Sequence, residues 1–372
     1  MLEDYEALLQ RALAQAQRAL FLSSPNPRVG CVLSDGHGLI LGEGFTQQAG
    51  GPHAEIMALR DAALRGHSTQ GCTAYVTLEP CSHQGRTGPC CDALRDAGVA
   101  RVVTLSEDPN PQVAGAGLSR LRAHGVLVEM LPTDHHLVQV ARELNLGFFS
   151  RMVRGKPWVR LKLASSLDGR SALPDGRSQW ITGPDARRDT HAWRARADAI
   201  LTGVGTVLAD NPKLDVRLVD APRQPRLIVL DSGARTPPDA SIFIASRACC
   251  ICVAAEYPNK PSWPAGVAVH VLPVADDLQL DLAALLAGPV MAEINELHVE
   301  AGPTLSGALL AADLVDELLL YQAPLLLGEC HPMARLPAPA SLDVARRWQW
   351  HSVQRVGTDL RLTARPSGRE AF

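Results

Sequence analysis

Aromatic residues make up only 4% of this 372-residue sequence, and no charge of one sign prevails, the formal net charge being −3. The first scarcity leaves no base-stacking platform and the second no phosphate-tracking basic face, so nucleic-acid binding has no support from composition. No apolar run approaches the length that spans a bilayer. Internal repeats and low-complexity segments are also missing. The nine cysteines are an odd number, with neighbours at Cys90-Cys91 and Cys249-Cys250-x-Cys252, which argues against a disulfide framework and for a reducing, cytoplasmic setting. The triplet at 249, 250 and 252 reads as strand core rather than a second metal site. Met1 to Leu20 interrupts its apolar residues with acids, Gln and Arg and is expected to form an amphipathic helix, not a signal peptide.

What is present suffices for two domains with separate cores, since the chain is long and 46% hydrophobic. The densest chemistry lies between residues 53 and 90. His53-Ala54-Glu55 is followed, after about two dozen residues, by Glu79-Pro80-Cys81-Ser82-His83-Gln84-Gly85-Arg86-Thr87-Gly88-Pro89-Cys90. One imidazole and two thiolates fill three corners of the tetrahedron that Zn²⁺ prefers, leaving the fourth for water. Hydrolytic replacement of a ring amine needs a nucleophilic hydroxide at neutral pH, which metal binding supplies, and a carboxylate that takes and returns a proton. His53, Cys81 and Cys90 are therefore the expected zinc ligands and Glu55 the proton shuttle. H-x-E followed by P-C-x-x-C is the signature of zinc deaminases. In this chain eight residues, not two, separate the cysteines. Taken singly, H-x-E is more often an exposed polar pair, and two cysteines are more often buried apolar residues.

Pro52 is expected at the first helical position, with His53 and Glu55 in the first turn, and Cys90 at the start of a second helix whose positive end favours thiolate. Strands are expected at 29–33, 39–45, 72–78, 101–105 and 125–130. Helices are expected at 53–65, 90–97, 115–124 and 134–146. Strand and helix alternation predicts a layered α/β sheet. The basic, Gly- and Pro-containing stretch 147–157 marks a change of domain, giving domains 1–150 and 151–372. Beyond it, strands are expected at 158–164, 199–202, 226–230, 250–254, 267–272, 297–300 and 317–322, and a mostly parallel sheet accommodates them. Gly203-Val-Gly205-Thr-Val-Leu208 lacks the third glycine of a Rossmann fingerprint. Glu300-Ala301-Gly302-Pro303-Thr304-Leu305-Ser306-Gly307, before an apolar helix, offers either a phosphate cradle at a helix start or a plain capped turn.

The inserted motif Glu-Pro-Cys-Ser-His-x-Gly-Arg-Thr-x-Pro-Cys, with Pro25-Asn26-Pro27-Arg28-Val29-Gly30 and Asp108-Pro109-Asn110-Pro111, resembles the deaminase half of the bifunctional riboflavin-biosynthesis deaminase-reductases. Ser166-Leu-Asp-Gly169, Ser178-Gln-Trp180-Ile-Thr-Gly, Thr206-Val-Leu-Ala-Asp210-Asn-Pro and Glu-x-Gly-Pro-Thr-Leu-x-Gly from 300 resemble the reductase half. The likeness extends over nearly the whole chain. It implies a cytidine-deaminase-like layered sheet followed by a dihydrofolate-reductase-like domain, one Zn²⁺ per chain, and NADPH. It further implies that Asn26, His83, Asp108 and Asn110 hold the base or ribose of a phosphoribosyl pyrimidine, and Arg86 and Thr87 its phosphate. Ala164, Trp180, Thr206, Asp210, Ser232 and Gly302, Pro303, Thr304, Leu305, Ser306 and Gly307 are implied cofactor contacts. Ser178, Arg194, Leu214, Arg217 and Glu300 are implied reductase substrate contacts, and Lys162 matches a position linked to that site. Departures from the family pattern stand at Met57, Gly88, Ala301 and Asn211.

The expected partners are small-molecule substrates, with no nucleic acid and no membrane, and a homo-oligomer is compatible with the sequence. One rival reading is a deaminase of another pyrimidine or of RNA with a companion domain. Another is a non-catalytic metabolite binder built on a degenerate reductase fold.

Overall fold

A computed structural model describes residues 2–82, 88–111, 113–257, 261–275 and 279–372. The chain divides into two compact units, Met1–Gly155 with Phe372, and Lys156–Ala371. Among the described residues no helix is long and apolar enough to cross a membrane.

The first unit runs α1 (Leu2–Arg18), β1 (Gly30–Ser34), β2 (Ile40–Phe45), α2 (Ala54–Leu64), β3 (Thr73–Val76), α3 (Cys90–Asp96), β4 (Arg101–Thr104), α4 (Ala116–Ala123), β5 (Leu127–Met130), α5 (His136–Leu144) and α6 (Leu146–Arg154). Its sheet has the order β2-β1-β3-β4-β5, with β1 antiparallel to both neighbours and β3, β4 and β5 parallel. Period-2 alternation feeds two cores. Cys31, Leu33, Ala74 and Val76 pack with Ala54, Ala58 and Ala62 of α2, whereas Val32, Tyr75 and Val103 pack with Leu9 and Leu13 of α1. The sheet is thus covered on both faces, and the expected layered α/β arrangement is present.

Two local expectations need correction. Pro52 precedes α2: His53 is its N-cap in extended conformation, and the His53 carbonyl accepts the first helical bond from Met57 N–H at 3.1 Å. The helix expected to 146 stops at Leu144, and α6 follows across Asn145. Helix α6 belongs whole to the first unit, and the division between units falls after Gly155, within the stretch 147–157 expected to mark the change of domain.

The second unit runs β6 (Trp158–Ser165), β7 (Arg170–Ala172), α7 (Pro184–Arg196), β8 (Ala199–Gly203), α8 (Val204–Asp210), β9 (Arg226–Leu230), β10 (Cys249–Val253), β11 (Val267–Val271), α9 (Leu282–Ala287), β12 (Glu296–Glu300), α10 (Pro303–Ala311), β13 (Glu317–Gln322), β14 (His331–Pro332), β15 (Gln349–Val356) and β16 (Asp359–Arg365). The main sheet has the order β11-β10-β9-β8-β12-β6-β13-β16-β15. It is parallel from β11 to β13, while β16 and β15 add an antiparallel hairpin. At its centre Arg160 of β6 is fully buried between Glu296 of β12 and Glu317 of β13, so charge pairing and backbone pairing fix one register.

Candidate active sites

In the first unit three side chains converge. His53 Nδ1 lies 3.5 Å from Cys81 Sγ and 3.3 Å from Cys90 Sγ, and all three ligand atoms lie within 4.8 Å of one another. A tetrahedral zinc with Zn–S near 2.3 Å and Zn–N near 2.05 Å spaces its sulfur and nitrogen ligands roughly 3.5 Å apart, so the cluster fits the ion. The local folding follows from two helix starts: His53 caps α2, and Cys90 is the first residue of α3 with Pro89 as its cap. Cys81 is drawn into the same corner because its Sγ accepts the Cys90 backbone N–H at 3.4 Å.

Electrostatics match. Cys81 is held far below the usual thiol range, to about 4, first by its hydrogen bond with Cys90, with His53 adding to the effect. Cys90 is driven up by the same bond and by burial. A thiol biased toward thiolate beside a second thiol and an imidazole is a donor set that a divalent cation completes. Glu55 is 3% exposed and is pushed up to about 7, first by burial and then by the Cys81 charge.

Asp108 is buried, and its Oδ1 accepts the Asn110 N–H at 2.8 Å. Asn26 is half-buried in a turn whose N–H donates to the Ser23 carbonyl at 2.9 Å. His83, Arg86 and Thr87 lie outside the described residues.

The second unit contains a cavity of about 1460 Å³ at the carboxyl ends of its parallel strands, where open α/β sheets bind ligands. It gathers most of the second group of expected residues: Lys162, Ala164, Ser178, Trp180, Arg194, Thr206, Asp210, Leu214, Arg217, Ser232, Glu300 and Gly302 to Leu305 all line it. Gly302 N–H donates to Thr206 Oγ1 at 3.1 Å, joining the start of α10 to α8. Arg187 lies 4.5 Å from the Trp180 ring, which is 65% exposed. Ser306 and Gly307 are not part of the lining. Ser306 is fully buried and donates to the Ala301 carbonyl at 3.2 Å, while Gly307 backs onto the Arg335 carbonyl.

Charges in this cavity are strongly biased. Arg194 and Glu300 form a two-bonded pair that holds the Glu300 carboxyl well below its ordinary range against its own burial. Burial pulls Lys162 down and raises Asp210. Asn211, a departure from the family pattern, caps α8 in the left-handed region at φ 41°, which Asn tolerates, and its Oδ1 accepts Ser241 N–H at 2.7 Å.

Sequence reasoning missed His191 and Glu79. His191 is buried on α7, lines the cavity and accepts the Arg217 N–H on Nδ1 at 3.2 Å. Its three-residue spacing from Arg194 was the available signal, since such residues share a helix face. Glu79, within the motif itself, accepts four backbone N–H groups from the segment that carries Asp108.

Comparison with known proteins gives matches over both units. Residues 2–106 match the cytidine and deoxycytidylate deaminase zinc-binding region, and residues 157–362 match the RibD C-terminal domain. The Riboflavin biosynthesis protein RibD of Escherichia coli K12 is 46% identical over 370 residues, covering 95% of this chain and 97% of that protein. The structure of Acinetobacter baumannii RibD, form 1, superposes with a TM-score of 0.86 at 38% identity, over 99% of this chain and 100% of that one. A Thermotoga maritima structure, named a diaminohydroxyphosphoribosylaminopyrimidine deaminase/5-amino-6-(5-phosphoribosylamino)uracil reductase, gives 0.87 at 30% identity over 98% and 99%. The first unit is therefore a cytidine-deaminase-like zinc domain, and the second a dihydrofolate-reductase-like domain that implies a nicotinamide cofactor. With both catalytic halves present and aligned end to end with these relatives, the chain belongs to the RibD family, the bifunctional deaminase-reductases of riboflavin biosynthesis.

Proposed function

We propose that this protein hydrolytically deaminates 2,5-diamino-6-ribosylamino-4(3H)-pyrimidinone 5′-phosphate and then reduces the ribosyl group of the product to a ribityl chain with NADPH. The first compact unit carries the deaminase and the second the reductase. The reading rests on one observation: a buried carboxylate, Glu55, beside a His53–Cys81–Cys90 cluster, on the same chain as a large cavity at the ends of a parallel sheet. The Thermotoga maritima relative bears both activities in its name. The same reading makes this a cytoplasmic enzyme of small molecules, without nucleic-acid or membrane partners.

His53, Cys81 and Cys90 hold one zinc ion per chain. Zinc there supplies Lewis acidity that makes water nucleophilic at neutral pH. Glu55 takes the proton shed by the attacking water to the ring nitrogen and then moves the remaining hydroxyl proton to the departing amine, so that ammonia leaves and the oxygen stays on the ring as a carbonyl. Asn26, His83, Asp108 and Asn110 hold the base and ribose, and Arg86 and Thr87 the phosphate.

In the second unit NADPH supplies the hydride. Gly302 to Leu305 and Thr206 hold its phosphates at the start of α10, with Ala164, Trp180, Asp210 and Ser232 along the same wall and Ser306 and Gly307 shaping the turn behind. Lys162, Ser178, Arg194, Leu214, Arg217 and Glu300 hold the phosphoribosyl chain so that its reacting carbon faces the cofactor. Reduction also consumes a proton. Glu300 is committed to Arg194 as a carboxylate, which leaves Lys162 and Asp210 as the groups able to give one up.

The test separates the two steps. Zinc-loaded protein given the substrate without NADPH is expected to release one ammonia per substrate and to accumulate an unreduced product. NADPH added afterwards is then consumed mole for mole. NADPH consumption with no prior ammonia release would contradict the assigned order.

A further inference from the structure

Glu79 stands two residues before Cys81 and is 4% exposed. Both of its carboxylate oxygens are occupied by the backbone of one distant segment. Oε2 accepts from Asp108 at 3.1 Å and Gly115 at 2.9 Å, and Oε1 accepts from Gly117 at 2.8 Å and Leu118 at 3.2 Å. Gly115 is the N-cap of α4 and has no side chain with which to cap it. Gly117 and Leu118 are the positions whose N–H groups an N-cap side chain ordinarily satisfies. Glu79 therefore caps α4 from another part of the chain, and the cap is the residue that leads into the metal-ligand loop.

Two further contacts close the same junction. Glu79 N–H donates to the Ser106 carbonyl at 2.9 Å. A Cβ at Gly117 would sit 2.0 Å from the Pro80 carbonyl oxygen, so α4 starts flush against the Pro80–Cys81 backbone. The segment from 106 to 118, which carries Asp108 and Asn110, is thus tied at its entry and its exit to the residue beside the ligand loop. Four converging donors use both carboxylate oxygens as acceptors. A glutamine would turn an N–H₂ group toward them, and an aspartate would fall one methylene short.

We propose that Glu79 is a positioning residue of the deaminase: it fixes the loop that carries Asp108 and Asn110 relative to the loop that carries Cys81, and so sets how the substrate is held at the metal centre. This rests on the assignment of Asp108 and Asn110 to substrate binding made above. It predicts a defect in binding rather than in turnover, because Cys81, Cys90, His53 and Glu55 keep their own supports at the starts of α2 and α3.

The experiment uses the full-length, zinc-loaded protein, with ammonia release as the deaminase readout and reduction of pre-deaminated substrate as the check that the chain is folded. Glu79→Gln is expected to raise the deaminase KM about tenfold or more while kcat changes less than about threefold, with zinc content and reductase activity at wild-type levels. Amide exchange is expected to accelerate at Gly115, Gly117 and Leu118. Asn110→Ala is expected to raise KM as well, and the double variant to be no worse than the more severe single one, since both act through one loop. Should Glu79→Gln be insoluble, Gly117→Ala strains the same junction without touching the carboxylate and is expected to give the same KM-selective defect. An unchanged KM, loss of zinc and kcat at constant KM, or multiplicative effects of two impaired single variants would each overturn the proposal. A silent Asn110→Ala beside a raised KM in Glu79→Gln removes Asn110 from substrate binding and keeps Glu79 as the residue that positions the loop.

Discussion

Arg194 grips Glu300 with two parallel hydrogen bonds, Nε to Oε1 at 2.5 Å and Nη2 to Oε2 at 2.9 Å, and sends Nη1 to the Asp215 carbonyl at 2.9 Å. One guanidinium thereby joins α7, the end of β12 and the loop that carries Arg217. Both side chains are 11% exposed, so removing one partner strands a largely buried charge. Arg194→Ala is expected to destabilise the second unit by about 3 kcal/mol and to abolish reduction while ammonia release persists. Urea titration followed by tryptophan fluorescence checks the stability, since all six tryptophans lie in the second unit, and an unshifted midpoint would mean that the pair contributes no net stability.

Gly307 tests the cofactor end of the cavity. A Cβ there would lie 1.8 Å from the Arg335 carbonyl oxygen, a backbone atom that cannot swing aside. Gly307→Ala is expected to displace the start of α10 and to raise the KM for the nicotinamide cofactor about tenfold, with the deaminase unaffected. An unchanged cofactor KM would show that α10 does not hold the phosphates.

His191 gives a pH signature. Burial, with Arg194 and Arg217 adding repulsion against the opposing pull of Glu300 and Asp215, lowers it from 6.5 to about 4. The unfolded chain binds a proton near pH 6.5 while the folded one waits until about 4, so stability is full above 6.5 and is lost as pH falls through that window. The loss is about 3 kcal/mol, because His191 is almost fully buried. Urea midpoints of the reductase activity measured from pH 7 down to 4 are expected to fall, and in His191→Asn to fall less. Parallel curves for the two proteins would assign the pH dependence to other groups.

Arg235 lines the cavity beyond the end of β9, beside Ser232, with its side chain 56% exposed and Nε 3.8 Å from Asp231. A guanidinium there can fork onto the phosphate that distinguishes NADPH from NADH. Arg235→Ala is expected to raise the KM for NADPH about tenfold and to leave that for NADH within about twofold. Equal shifts for both cofactors would remove Arg235 from that role.

The metal cluster was legible in the sequence because His53 and Cys90 stand in short motifs at helix starts and Cys81 in the motif that leads to the second of them, and the intervening elements bring those starts together by the ordinary rules of an α/β layer. The break between α5 and α6 was not. Asn145 ends the first helix because its Oδ1 accepts Arg28 N–H at 2.8 Å and its Nδ2 donates to the Arg28 carbonyl at 3.0 Å, a partner 117 residues away. Glu79 and His191 escaped for the same reason, since their partners lie 26 to 39 residues off in sequence. The hairpin of β15 and β16 was hidden because Trp350 and Val353 of β15 face outward, so that strand carries no buried stripe to read.

The most direct test of the account follows NADPH absorbance after adding the phosphorylated diaminopyrimidinone to zinc-loaded wild-type protein and to Glu55→Ala. Oxidation is expected in the wild type, and in Glu55→Ala only once pre-deaminated substrate is supplied. No oxidation by the wild type even with pre-deaminated substrate would contradict the assignment of the second unit's cavity, and oxidation by Glu55→Ala at the wild-type rate on the original substrate would contradict that of Glu55.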